Sequence, residues 1–120
     1  MVRRFKSQEN QRQNMLDLAR DMMLPLAEDR VKAGGSVKSW SFSHVAFPTG
    51  DSTAYDAAEV RVFKDLASAV AASGSTGTGA AERFAKKFPD KSYTAFVDAL
   101  RTSSKVVRTD LYRVVATFSK

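Results

Sequence analysis

Two adjacent stretches near the middle of the chain alternate with a period of two. From Val37 to Phe47, Trp40, Phe42 and His44 fall on one side of an extended backbone, and Ser39, Ser41 and Ser43 on the other. From Tyr55 to Phe63, Ala58, Val60 and Val62 make an apolar row, while Tyr55, Ala57, Glu59, Arg61 and Phe63 make a mixed one. Between them, Pro48 to Ala54 carries Pro, Gly, Asp and Ser, which favour turns by fixing φ, by tolerating positive φ or by bonding their own backbone. The pattern predicts an antiparallel hairpin.

Upstream, residues 1–6 form a short candidate strand with Val2, Arg4 and Lys6 on one side and Arg3 and Phe5 on the other. Ser7 is placed to cap a helix. From Gln8, Met15, Leu18, Ala19, Met22, Leu26 and Ala27 recur at spacings of three and four, the stripe of an amphipathic helix. Pro25 interrupts that stripe and predicts a kink near Asp21–Leu24. Gly34-Gly35 ends it. Met15, Met22 and Met23 sit at helical spacing and fit core filling better than a soft-metal face.

Downstream, 65–72 reads as an Ala-rich helix capped by Asp65, and Ser73 to Gly79 as a Gly-rich connector. Because that connector follows a helix and lacks a Lys-Ser/Thr pair, it is no phosphate loop. A short helix over 80–88 stops at Pro89. A further one is capped by Ser92 or Asp90, with Tyr93, Phe96, Val97, Leu100, Ser104 and Val107 at helical spacing. Thr109 to Phe118 alternates again and predicts the last strand.

The order is β-α-β-β-α-β, the ferredoxin-like pattern of two split βαβ units over residues 1–120, an α+β domain whose four-stranded antiparallel sheet carries helices on one face. Hydrophobic residues at 43% and charged residues at 27% are those of a globular protein. No apolar run approaches the roughly 20 residues that span a bilayer, and no signal-peptide pattern opens the chain, so a cytoplasmic protein without membrane contact is expected. The absence of Cys excludes disulfides and thiolate chemistry. The net charge of +6 invites a nucleic-acid reading. Acids interleave with the bases except in 101–120, however, and no strand carries the Lys/Arg-Gly-aromatic signature of RNA-binding sheets of this topology, so nucleic acid is an unlikely partner.

Leu24-Pro25-Leu26, Val31 to Gly34, Lys38 to Ser41, Val45 to Pro48, Tyr55-Asp56 and the closing Val106-Val107-Arg108 with Leu111-Tyr112-Arg113 resemble small, mostly uncharacterised members of the dimeric α+β barrel superfamily. The resemblance implies a homodimer with sheets packed face to face. It also implies a ligand pocket between each sheet and its helices, of the kind that serves cofactor-independent monooxygenases and cyclases.

His44, with an unperturbed pKa of about 6.5, is the candidate general base. Glu59 and Arg61, two apart on one row, are candidates to orient it or to hold an anion; an ion pair across an interface is the competing reading. Trp40, Phe42, Tyr55 and Tyr112 are candidate walls of an aromatic substrate cavity, against ordinary core packing. Arg113 is a candidate anion contact. One His and scattered carboxylates give no metal-ligand spacing, and no cofactor is called for. Two functions stand open: a cofactor-independent enzyme or binder for a hydrophobic aromatic molecule, and a non-catalytic protein whose sheet face only forms a dimer interface.

Overall fold

The computed structural model describes residues 1–45, 54–74, 79–116 and 118. The expected turn at 48–53, the end of the first hairpin strand beyond Val45 and the connector at 75–78 lie outside those residues. Four strands, β1 (Val2–Ser7), β2 (Val37–His44), β3 (Ala57–Phe63) and β4 (Ser104–Asp110), form one sheet in the order β2-β3-β1-β4. Every neighbouring pair is antiparallel, so β1 and β2 run the same way with β3 between them. Likewise β1 lies between β3 and β4. Helices α1 (Arg12–Leu18), α2 (Leu24–Lys32), α3 (Leu66–Gly74), α4 (Ala80–Lys87) and α5 (Tyr93–Ser103) complete an α+β fold.

Register fixes which side chains share a face. Arg3 and Phe42 both oppose Glu59, Trp40 opposes Arg61, and Phe5 and His44 oppose Ala57. This row faces the helices: Phe5 and Ala57 pack with Met15 of α1, flanked by Leu16 and Phe42. The other row carries Val2, Arg4, Ala58, Val60 and Ser41. On β3 the row with Glu59 and Arg61 is therefore the covered one and the apolar row Ala58, Val60 and Val62 faces away, while on β2 Trp40 and Phe42 are covered and Ser39, Ser41 and Ser43 face away.

The kink expected at Pro25 takes a specific form. Between α1 and α2 lies one π-helical turn, Ala19–Met23, closed by the Leu24 N–H on the carbonyl of Ala19. Pro25, in the first turn of α2, has no N–H to give, and the widened turn relieves the clash of its ring with the preceding carbonyls. Gly34, at φ +73, ends the segment in the left-handed region.

Two expectations are corrected. Ser7 does not cap a helix. It ends β1, where its N–H donates to Asp56 Oδ1 at 2.9 Å and its hydroxyl to Asp56 Oδ2, and α1 begins only at Arg12. The last strand is earlier than its alternation predicts, because α5 ends at Ser103 and the chain extends at once into β4. Ser104 Oγ donates to the carbonyl of Leu100 at 3.2 Å, closing the helix end. Residues 111–116 and 118 belong to no strand. Asp65 and Ser92 do cap their helices: Asp65 Oδ1 accepts from the Ser68 N–H at 2.7 Å, and Ser92 Oγ from the Ala95 N–H at 3.2 Å.

Candidate functional site

The covered row of the sheet and the helices above it line a cavity of about 740 Å³. β1 contributes Arg3 and Phe5, β2 Trp40, and β3 Glu59 and Arg61. Met23 of the π-turn, Leu26 and Arg30 of α2, Arg83 of α4, and Phe96 of α5 close it. An aromatic cluster holds the far wall in place. Phe84 stacks on Phe96 at 5.0 Å between ring centroids and meets Tyr93 at 5.6 Å and Phe88 at 5.2 Å. Across the sheet, Phe42 bridges Phe5 at 5.8 Å and Trp40 at 6.3 Å.

Glu59 is the electrostatic centre. It is 1% exposed, and burying a carboxylate is tolerable only where cations and donors replace water. Its Oε2 accepts from Trp40 Nε1 at 2.8 Å and from Arg61 Nη2 at 3.1 Å. Arg3 Nη1 stands 3.8 Å from Oε1. Three strands thus supply the cluster, one residue or two each, and only the antiparallel register brings them together.

The surroundings are strongly positive. Arg3, Arg30, Arg61, Arg83, Arg101 and Lys105 line the cavity, and Glu59 is the one acid among the described lining residues. Burial pushes the Arg3 guanidinium below its usual pKa; Arg61 adds to this, and Glu59 opposes it. Arg30 is lowered by burial first, then by the charges of Arg83 and Arg61.

Of the residues singled out from the sequence, Trp40, Glu59 and Arg61 line the cavity, and Phe42 backs Trp40. The other four do not line it. His44 lies exposed at the end of β2, its Nδ1 3.0 Å from Arg12 Nη2, and Arg12 also donates to the Val45 carbonyl at 2.7 Å. Tyr55 receives the Arg4 guanidinium 5.3 Å above its ring, and Arg4 is tied to Asp110 at 2.6 Å. Tyr112 and Arg113 are exposed beyond β4. Arg3 and Arg30 were missed, though the signal was present. Arg3 shares its strand face with Phe5, and Arg30 follows Leu26 and Ala27 by four and three residues, on the apolar stripe of the helix.

A second hollow of about 450 Å³ lies between α1 and α5. Its acids, Asp17 and Asp21, are already engaged by Arg20 at 3.2 and 2.7 Å, so it offers weaker chemistry. Among the described residues, no group of three or more His, Asp or Glu side chains is placed to hold a metal ion, and no helix is long and apolar enough to cross a membrane. Comparison of the chain with protein families, curated proteins and solved structures finds no match.

Proposed function

We propose that this chain is a ferredoxin-like protein that pairs into a dimeric α+β barrel and binds a hydrophobic aromatic molecule between its sheet and helices. The carrying observation is the cavity of about 740 Å³ with Trp40, Glu59 and Arg61 in its wall. Its size falls within the roughly 300–1,000 Å³ usual for small-molecule sites, and a mostly apolar lining with a few convergent polar groups is their common character. Strand order supports the fold assignment, because β3 inserted between β1 and β2, and β1 between β3 and β4, make two interleaved βαβ units. For a reaction in the cavity, Glu59 is the group placed to exchange a proton, and Arg61 and Arg3 are the charges placed to hold an oxyanion.

A homodimer is supported by the outward sheet row. On that row Val62, 43% exposed, follows Val60 and Ala58 along β3 beside Ser39, Ser41 and Ser43 of β2, and an exposed apolar strip of this kind is a surface that a partner can cover. The alternative, an assembly protein without a ligand, rests on the same face. One experiment addresses both. Light scattering of the wild type and Val62→Glu gives the mass, with a dimer expected for the wild type and a monomer for the variant. The chain's single Trp, inside the cavity, reports binding of aromatic compounds by its fluorescence. A monomeric wild type would remove the barrel reading. A dimer whose Trp40 emission is indifferent to a broad panel of aromatic compounds would favour the assembly protein.

A further inference from the structure

The charge of the cavity restricts its occupant more than its shape does. Glu59 neutralises only one of the guanidiniums around it. Arg61 takes its Oε2 together with Trp40. Oε1 is buried and accepts no hydrogen bond among the described residues; Arg3 Nη1 at 3.8 Å is beyond hydrogen-bond distance. Arg61 Nε is likewise buried without an acceptor. Arg30 is half-buried with no hydrogen-bond or ion-pair partner among the described residues; burial and then the charges of Arg83 and Arg61 disfavour its guanidinium, and Glu59 only partly offsets them. Buried charges and buried polar atoms in folded proteins are normally matched. The mismatch here has a definite sign and place: surplus cations on one side, and one acceptor without a donor.

A molecule that fits this wall needs a negative group, a donor and a flat apolar body. We propose that the cavity binds an aromatic anion, a carboxylate or sulfonate of an aryl ring that also carries a hydroxyl or N–H. The anionic group lies between Arg30 and Arg3, the donor on Glu59 Oε1, and the ring against Trp40 and Phe96. This rests on the reading of the cavity as a ligand site and adds the charge and donor that the ligand must have. Trp40 and Arg61 also hold Glu59 in one orientation, both donating to its Oε2.

A matched pair of dyes tests it on the intact chain. 8-Anilinonaphthalene-1-sulfonate and N-phenyl-1-naphthylamine share the aromatic body and the N–H and differ in the sulfonate. Each is titrated by its fluorescence, and the single indole N–H resonance of Trp40 locates the site. At about 50 mM salt, where screening is weak, the sulfonate dye is expected to bind at least tenfold tighter and both dyes to move the indole resonance. Arg30→Gln is expected to weaken the sulfonate dye about tenfold, roughly 1.4 kcal/mol, and to leave the neutral dye unchanged. Equal affinities with a silent Arg30→Gln, the indole still moving, would overturn the anion assignment and keep an apolar site. An indole resonance unmoved by either dye would overturn the ligand-site reading itself. Should Arg30→Gln not fold, salt replaces it. Raising salt to about 500 mM is expected to weaken the sulfonate dye several-fold and not the neutral one, and insensitivity of the sulfonate dye would equally overturn the anion.

Discussion

The indole of Trp40 donates to Glu59 Oε2 at 2.8 Å, across the β2–β3 pair. That bond joins the only Trp of the chain to a carboxylate that is 1% exposed. It makes the centre of the sheet polar on the side the helices cover. Glu59→Ala removes the counter-charge from Arg3 and Arg61 and is expected to cost about 3–5 kcal/mol, the usual penalty for leaving buried charge uncompensated. Trp40→Phe removes only one bond to a charged acceptor and is expected to cost about 1.5–3 kcal/mol. Urea unfolding of both variants and of the double variant checks this. A double-variant loss equal to the sum of the two single losses would contradict their coupling.

Asp56 fastens the ends of three strands. Its carboxylate takes both donors of Ser7, its N–H donates to the Phe5 carbonyl at 2.9 Å, and its own carbonyl receives the Val45 N–H at 2.7 Å. Asp56→Ala leaves the partly buried Ser7 donors without their acceptor and is expected to cost about 1–3 kcal/mol. Asp56→Asn, which keeps one acceptor oxygen, is expected to cost less. Thermal unfolding followed by circular dichroism ranks the two, and equal losses would deny the carboxylate its role.

Phe84 is 1% exposed and touches three aromatic rings of α5 and its approach. Phe84→Ala opens a void beside the cavity between sheet and helices and is expected to cost about 3–5 kcal/mol. Phe84→Leu retains most of the volume and is expected to lose less than half as much. Chemical denaturation distinguishes this from a loosely packed α4, for which both changes would be mild.

Stability should carry an acid signature from the start of α3. The Ser68 N–H on the Asp65 carboxylate holds its pKa below the usual value of 3.8. A carboxyl depressed in the folded state contributes stability that is complete above its unfolded pKa and is lost as pH falls through the folded value. The loss therefore falls below about pH 4. Asp65→Asn preserves a cap acceptor and is expected to flatten that part of the pH profile, whereas Asp65→Ala lowers stability at neutral pH as well. Amide exchange of the first turn of α3, followed from pH 3 to 7, reads both effects.

The elements were largely legible because each rests on local rules. Alternation gave the two sides of β2 and β3, and with them the grouping of Trp40 with Phe42 and of Glu59 with Arg61. The 3.6 period gave the long N-terminal helical segment, Pro25 its irregularity and Gly34 its end. Asp65 and Ser92 announced their caps. What alternation cannot state is which side of a strand is covered. The apolar row Ala58-Val60-Val62 has the composition of an inside face, yet the helices lie on Glu59 and Arg61. Pairing decides this, since register sets Arg3, Glu59, Arg61 and Trp40 side by side, where Glu59 Oε2 finds its two donors in Trp40 and Arg61.

The C-terminal alternation shows the same division. Residues 111–118 have the period of a strand, and Ser104 and Val107 fit a helix equally well. In the fold Ser104–Asp110 pairs with β1 instead. β1 has only six residues, Val2–Ser7, so its ladder is used up at Asp110. Val115 and Phe118 are left 95% and 93% exposed. Period, caps and breaks were determined by the sequence alone, because they express the preferences of single residues and near neighbours. The covered face of the sheet, the end of its last strand and the placing of Arg30 and Glu59 in the wall of one cavity were decided by tertiary structure, because each depends on the length and register of a partner strand or helix distant in the chain.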